Sequence, residues 1–284
     1  MYELTISAAV IAVLIAEGLF SLALPIVTLV IWKKKYDLPK RPFVMGIAAF
    51  FIFGVVGQQL LHLLVLDMNP VIGNYIESQP WLNALYVGFA AGLFEETARL
   101  MMFRTALKEE TSRESAVAYG IGHAGVECIV ALGLTVMSNL IIAYIMNSGN
   151  LADSIAAMSP EELAVMQETV NMTNDISVSG VILVVLERIC MFVLQIELSI
   201  VVFAAYKNEK MWLYPVAIAA HAVVELIPTL YHTNMLPLWP TEILLVAYVA
   251  LLMLPVSKIY KSLQSIVPVA TDNFGRPVDK KYLL

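Results

Sequence analysis

The sequence predicts an all-α fold, a polytopic transmembrane helix bundle of about seven spans. Three observations predict it. Hydrophobic residues make up 60% of the 284 residues and charged residues only 14%, with a mean hydropathy of +0.78, where a soluble domain carries about 25% charged residues. Seven long apolar runs divide the chain. The basic residues crowd into every second connection. The length suits one membrane domain, residues 1–260, followed by a cytoplasmic tail, 261–284. In lipid, where water cannot satisfy backbone N–H and C=O groups, such runs must be helical.

The runs lie at about 5–32, 43–66, 81–103, 116–146, 176–206, 212–230 and 241–256. The last is short and needs its flanks to span. Met1-Tyr2-Glu3 lacks the basic region of a signal peptide, so the first run is expected to stay as a transmembrane helix. The connection after the first run holds Lys33, Lys34, Lys35, Lys40 and Arg41, and that after the third holds Arg104, Lys108 and Arg113. Lys207 and Lys210 follow the fifth run, and Lys258, Lys261, Arg276, Lys280 and Lys281 lie in the tail. The connections 67–80, 147–175 and 231–240 contain neither Lys nor Arg. The positive-inside rule then predicts an outer N-terminus and a cytoplasmic C-terminus. In the long connection 147–175, Ser159-Pro160-Glu161-Glu162 reads as a helix start, with a serine cap, proline at the first position and glutamate reaching back. A short surface helix is expected there.

No basic run outside the membrane-flanking connections could track nucleic acid, so no nucleic-acid partner is expected. The two cysteines, Cys128 and Cys190, both lie in apolar runs, which excludes a disulfide framework and a cysteine zinc motif.

The informative residues are the ionisable ones inside apolar runs, since each costs several kcal/mol in lipid and usually serves function. The third run carries Glu95, Glu96 and Arg99, the fourth His123 and Glu127, the fifth Glu187, Arg188 and Glu197, and the sixth His221 and Glu225. Glu17 stands alone in the first. Counting back to the inner ends of their runs puts Glu95, Glu96, His123 and His221 about 10–14 Å from the cytoplasmic boundary. Glu197 falls close to the same level. His123 and Glu127 are four residues apart, as are His221 and Glu225, so each pair shares a helix face. Glu95 and Glu96 lie about 100° apart around their helix. One of them should enter the cluster, while the other engages Arg99 or a neighbouring helix. Glu187 with Arg188 reads as structural pairing, and Gln58, Gln59 and His62 as helix contacts or a water-lined entry.

Two imidazoles and a carboxylate suit a borderline cation such as zinc, with a position left for water. A nearby glutamate can take a proton from that water. Without metal, a buried carboxylate can serve as general base with the histidines aiding the oxyanion. Both versions activate water, and no Ser-His-Asp or Cys-His pattern lies at the common level. The expected chemistry is hydrolysis by activated water in the cytoplasmic half of the membrane. The metal candidates are His123, His221, Glu225, Glu95 and Glu127; the catalytic candidates are Glu95, Glu96, Arg99, His123 and His221. Two other classes stay open: a proton- or cation-coupled transporter, since carboxylates and histidines also build relays, and a non-catalytic membrane adaptor or immunity protein that keeps the cluster for packing.

The string Gly92-Leu93-Phe94-Glu95-Glu96-Thr97-Ala98-Arg99 resembles the paired-glutamate motif of the CAAX-prenyl-protease and bacteriocin-processing superfamily of intramembrane proteases. Tyr119 to His123 resembles its second motif, an aromatic residue four before a histidine. His221 to Glu225 resembles the third, a histidine followed four residues later by a polar partner. By overall pattern the chain is similar to the YhfC-like intramembrane metalloproteases of bacteria within that superfamily. Two residues, not the usual three, separate Glu96 from Arg99, and Glu225 stands where asparagine or aspartate is usual. The resemblance implies a multi-pass protein of the bacterial plasma membrane. Its partners would be the lipid bilayer and a membrane-embedded or membrane-proximal peptide or protein substrate, and its suspected cofactor Zn2+. It further implies that Glu95 or Glu96 is the general base, and that His123 and His221 hold the water or metal with Glu225.

Overall fold

The computed structural model describes residues 6–36, 38–148, 158–174, 176, 178–233 and 235–265. Nine helices carry the described chain: α1 (Ala8–Tyr36), α2 (Lys40–Asp67), α3 (Pro70–Ser78), α4 (Pro80–Arg104), α5 (Arg113–Asn147), α6 (Pro160–Asn174), α7 (Val178–Lys207), α8 (Leu213–His232) and α9 (Leu238–Ser262). There are no strands among the described residues. The protein is a multi-pass α-helical membrane bundle.

Six of these helices, α1, α2, α5, α7, α8 and α9, are long and apolar enough to cross a membrane on their own. The remaining predicted span, 81–103, forms α4, whose 25 residues extend about 37 Å. Its charge sets it apart: Glu95, Glu96, Arg99 and Arg104 all lie on it. The first three turn inward and are buried. The run at 241–256 proves longer than expected, because Leu238–Trp239-Pro240 starts its helix and Lys258 to Ser262 continue it. Helix α9 therefore takes in the first two residues assigned to the tail; residues 266–284 lie outside the described residues.

Helix α3 was absent from the sequence reading of 67–80. Asn69 caps it by accepting from the Ile72 amide (3.3 Å), and Pro70 fills its first position, a placement that sacrifices no backbone donor. Helix α6 begins where the serine–proline–glutamate string predicts. The Ser159 amide donates to Glu162 (2.7 Å) and the Glu162 amide donates to Ser159 Oγ (3.2 Å). The bond from the Ser159 amide holds the exposed Glu162 carboxyl below its ordinary range.

Helix α5 is the axis of the bundle. Every residue from Glu114 to Cys128 is buried, and α2, α7 and α1 pack around it. Small residues permit that crowding. A Cβ on Gly122 would stand 2.0 Å from the Phe43 carbonyl oxygen of α2, and one on Gly46 would stand 2.2 Å from the Tyr119 oxygen of α5. The α2–α5 crossing is thus backbone against backbone on both sides, a familiar solution for membrane helices that lack a hydrophobic driving force between them. Helix α4 pairs in the same way with α8, where a Cβ on Gly92 would meet the Ile218 oxygen at 2.7 Å. Gly122→Ala should therefore destabilise the bundle by about 1–3 kcal/mol or more. Thermal unfolding in detergent checks this, with Gly133→Ala as control, since a Cβ there meets Ser21 Oγ at 3.4 Å and Ile129 Cγ2 at 3.9 Å, both ordinary contacts.

The helical path is not uniform. Phe50–Gly57 and Leu63–Asp67 of α2, and Ile129–Gly133 of α5, wind as π-helix. Such wide turns are rare and concentrate near functional sites; the first of them faces α4 beside Glu95.

Candidate functional site

Four helices deliver ionisable or amide side chains to one buried point. Helix α4 supplies Glu95, Glu96 and Arg99; α5 supplies His123 and Glu127; α7 supplies Gln195; α8 supplies His221 and Glu225. All of these except Glu225 are buried, and Glu96, Arg99, His123, Gln195 and His221 are wholly so. Glu225, whose side chain is 27% exposed, forms the rim.

The two adjacent glutamates take different roles, as their angular separation requires. Glu95 enters the cluster. Its Oε2 lies 2.8 Å from His123 Nε2 and 3.8 Å from His221 Nε2. Its Oε1 accepts from Gln58 Nε2 at 3.2 Å. Gln58 is therefore a direct partner of the cluster. Glu96 turns to its own helix and to α8: its Oε1 accepts from Arg99 Nη1 at 2.5 Å and pairs with His221 Nδ1 at 2.7 Å. Arg99 does not face the cluster's centre. Its second guanidinium nitrogen donates to Gln195 Oε1.

Those contacts orient His221. A glutamate paired with arginine is an acceptor only, so Nδ1 of His221 must be the donor to it. Nε2 then turns toward the cluster, fully buried and without a hydrogen-bond partner, 3.8 Å from Glu95 Oε2 and 3.9 Å from Glu225 Oε1. A histidine whose other nitrogen donates to a carboxylate has the arrangement usual for metal ligands. His123 is clamped by rings: Phe50 meets it edge-on at 5.4 Å and Tyr119 stacks at 6.1 Å between centroids.

Glu95, His123 and Glu127 present ligand atoms that all lie within 4.8 Å of one another. His221 and Glu225 adjoin them through Glu95 Oε2 and His221 Nε2. The five residues proposed from sequence as metal donors are thus neighbours in space. The donor chemistry, imidazole and carboxylate, suits a zinc-type ion.

Gln195 is the residue that sequence reasoning missed. It is fully buried, donates from Nε2 to Glu127 Oε2 (2.6 Å) and Glu95 Oε2 (3.1 Å), and accepts from Arg99. Its signal was an amide in the middle of an apolar run, the same anomaly that flagged the charged residues. Glu197 was expected near the cluster's level. It does not join the cluster: two positions beyond Gln195, it lies about 200° further around α7 and faces α1 and α9 instead. Glu187 and Arg188 form an ion pair, as the sequence suggested. Glu17 is buried in α1, outside the set described.

A family model described as YhfC intramembrane metalloprotease matches residues 20–248 of the chain. That segment runs from within α1 to within α9 and contains every residue of the cluster. A curated relative, the "Uncharacterized membrane protein YhfC" of Bacillus subtilis (strain 168), is 28% identical over 238 residues, covering 83% of this chain and 90% of that protein. No solved structure matches.

Proposed function

The chain belongs to the YhfC intramembrane metalloprotease family, and from that premise we propose that it is an endopeptidase that hydrolyses a peptide bond with water activated at the Glu95–His123–His221 cluster. One observation carries the proposal: a single carboxylate oxygen, Glu95 Oε2, faces the imidazole nitrogens of His123 and His221 at 2.8 and 3.8 Å, and the three residues come from three different helices. Hydrogen-bonded packing alone would leave no reason for a buried, unpartnered His221 Nε2, since an unsatisfied polar atom in such surroundings is costly.

The donor set fits a metal, which His123, His221 and Glu127 would hold with Glu225 at the rim. Such an ion, when bound, supplies Lewis-acid polarisation of a carbonyl and makes water more acidic. The protein's own groups do the rest. Glu95 takes a proton from the attacking water, because Glu96 is committed through Oε1 to Arg99 and His221. Glu96 and Arg99 are positioning residues: Glu96, held by Arg99, takes Nδ1 of His221 and so turns Nε2 toward the cluster. Gln195 anchors Glu95 and Glu127 together, one amide nitrogen donating to both carboxyls. Glu225 offers the polar edge by which a peptide and its water reach the cluster. The distribution of basic residues supports a site in the cytoplasmic half of a bacterial plasma membrane, so the substrate is a membrane-embedded or membrane-proximal peptide.

The test is cleavage of a candidate membrane peptide by purified protein, with Glu96→Ala, His123→Ala and His221→Ala as controls. Metal content should be measured before and after chelation. Stoichiometric zinc, lost together with activity on chelation and in His221→Ala, is the expected result. Cleavage that survives all three substitutions removes the reading.

A further inference from the structure

On the opposite side of α7 from the cluster, the helices α1, α5, α7 and α9 line a half-open cavity of about 380 Å³. That volume falls within the range of small-molecule sites, about 300–1,000 Å³. Its walls are mostly aliphatic, with three aromatic rings, Trp32, Phe192 and Tyr260, and three hydroxyls, those of Thr28, Ser257 and Tyr260. Among the described residues of its lining, Glu197 is the one acidic side chain, and there is no basic one. Glu197 is 94% buried, being 6% exposed. Its Oε2 is buried without a hydrogen-bond partner, and so is the Tyr260 hydroxyl. Both belong to the cavity lining.

A carboxylate in this position has no structural return. It costs free energy in an apolar, membrane-depth setting, and none of the bonds that tie α4, α5, α7 and α8 together involves it. An anionic ligand would be repelled by it, and a neutral apolar one would leave it unpartnered. A cation on an apolar body would pair with the carboxylate, place its stem against the aliphatic wall and gain attraction from ring faces. Serine, threonine and tyrosine hydroxyls would accept its remaining N–H groups.

We propose that this cavity is a binding site for a lipophilic amine, with Glu197 as its counter-ion. The site shares no residue with the hydrolytic cluster. Ligand chemistry of this kind has two sources, an amine-bearing membrane lipid and a free amphiphilic amine.

The test uses the full-length protein in detergent and measures binding and thermal unfolding with dodecylamine, dodecanol and dodecanoate. Dodecylamine should bind and raise the unfolding midpoint more than either analogue. Glu197→Gln should weaken dodecylamine binding by about tenfold or more, the loss of one charge-assisted bond, while leaving dodecanol unchanged. The variant alone should unfold at the same temperature as the parent or higher, because an unpaired buried acid has been removed. Lipid reconstitution separates the sources. If the ligand is a lipid, phosphatidylethanolamine should be retained over phosphatidylcholine by the parent and not by Glu197→Gln; if it is free, dodecylamine alone discriminates. Equal binding of amine and alcohol, or amine binding that persists in Glu197→Gln, overturns the proposal. A marked loss of stability in Glu197→Gln does so too, because it would give the carboxylate a structural role.

Discussion

Replacing Glu95 with glutamine should lower peptide hydrolysis by about 10²–10⁴-fold, the usual contribution of a positioned general base. The substitution keeps the side chain's length and its ability to accept from Gln58 and to meet His123. It removes the negative charge and the basic lone pair at Oε2, the oxygen that lies 2.8 Å from His123 Nε2 and 3.8 Å from His221 Nε2. Single-turnover cleavage and zinc content, measured on the same preparation, separate the roles. Zinc retained with activity lost identifies the base. Zinc lost as well makes Glu95 a ligand in its own right, a role its 4.8 Å grouping with His123 and Glu127 would support. Cleavage at the parental rate would leave Glu95 with neither role.

The second large effect is expected in stability. Arg99 is fully buried, as is its partner Glu96, and removing one member of such a pair leaves an uncompensated charge in a medium that cannot solvate it. Arg99→Ala should cost about 3–5 kcal/mol. Adding Glu96→Gln should recover part of that loss, because it neutralises the stranded carboxylate, and this non-additivity is the signature of a coupled pair. Denaturant unfolding in detergent of the four forms gives the cycle. A cost below about 1 kcal/mol for Arg99→Ala, the range of an ordinary substitution, would mean that the arginine is not holding the cluster in place.

Much of this site could be read from the chain because intramembrane charge is expensive and therefore informative. His123 with Glu127, and His221 with Glu225, announced themselves by spacing on a helix. The shared depth of Glu95, His123 and His221 followed from counting residues to the ends of apolar runs. Rotation about the helix axis was harder to read. The sequence placed Glu95 and Glu96 about 100° apart but could not say which faced inward; the close approach of α4 to α8 through Gly92 decides it. Depth alone also grouped Glu197 with the cluster, whereas rotation about α7 sends Gln195 to one side and Glu197 to the other. Gln195 itself carries no charge and so drew no attention, although it touches Arg99, Glu95 and Glu127. The fold shows the same division. Long apolar runs gave the helices, while the short α3, set by Asn69 and Pro70, and the π-helical turns, which follow from packing and not from composition, left no such trace.

The wide turns over Phe50–Gly57 end immediately before Gln58, and that adjacency has a geometric meaning. A π-turn accommodates an added residue within an otherwise α-helical rod, so the two halves of α2 are out of phase with one another. Winding the same eight residues as ordinary α-helix would swing every later side chain around the axis. The Gln58 amide would leave Glu95 Oε1, which it now reaches at 3.2 Å, and a different neighbour would point at the acid. The stretch acts as a vernier: it sets the azimuth of one amide against one carboxylate without moving the N-terminal half of α2, which Gly46 and Gly122 lock to α5.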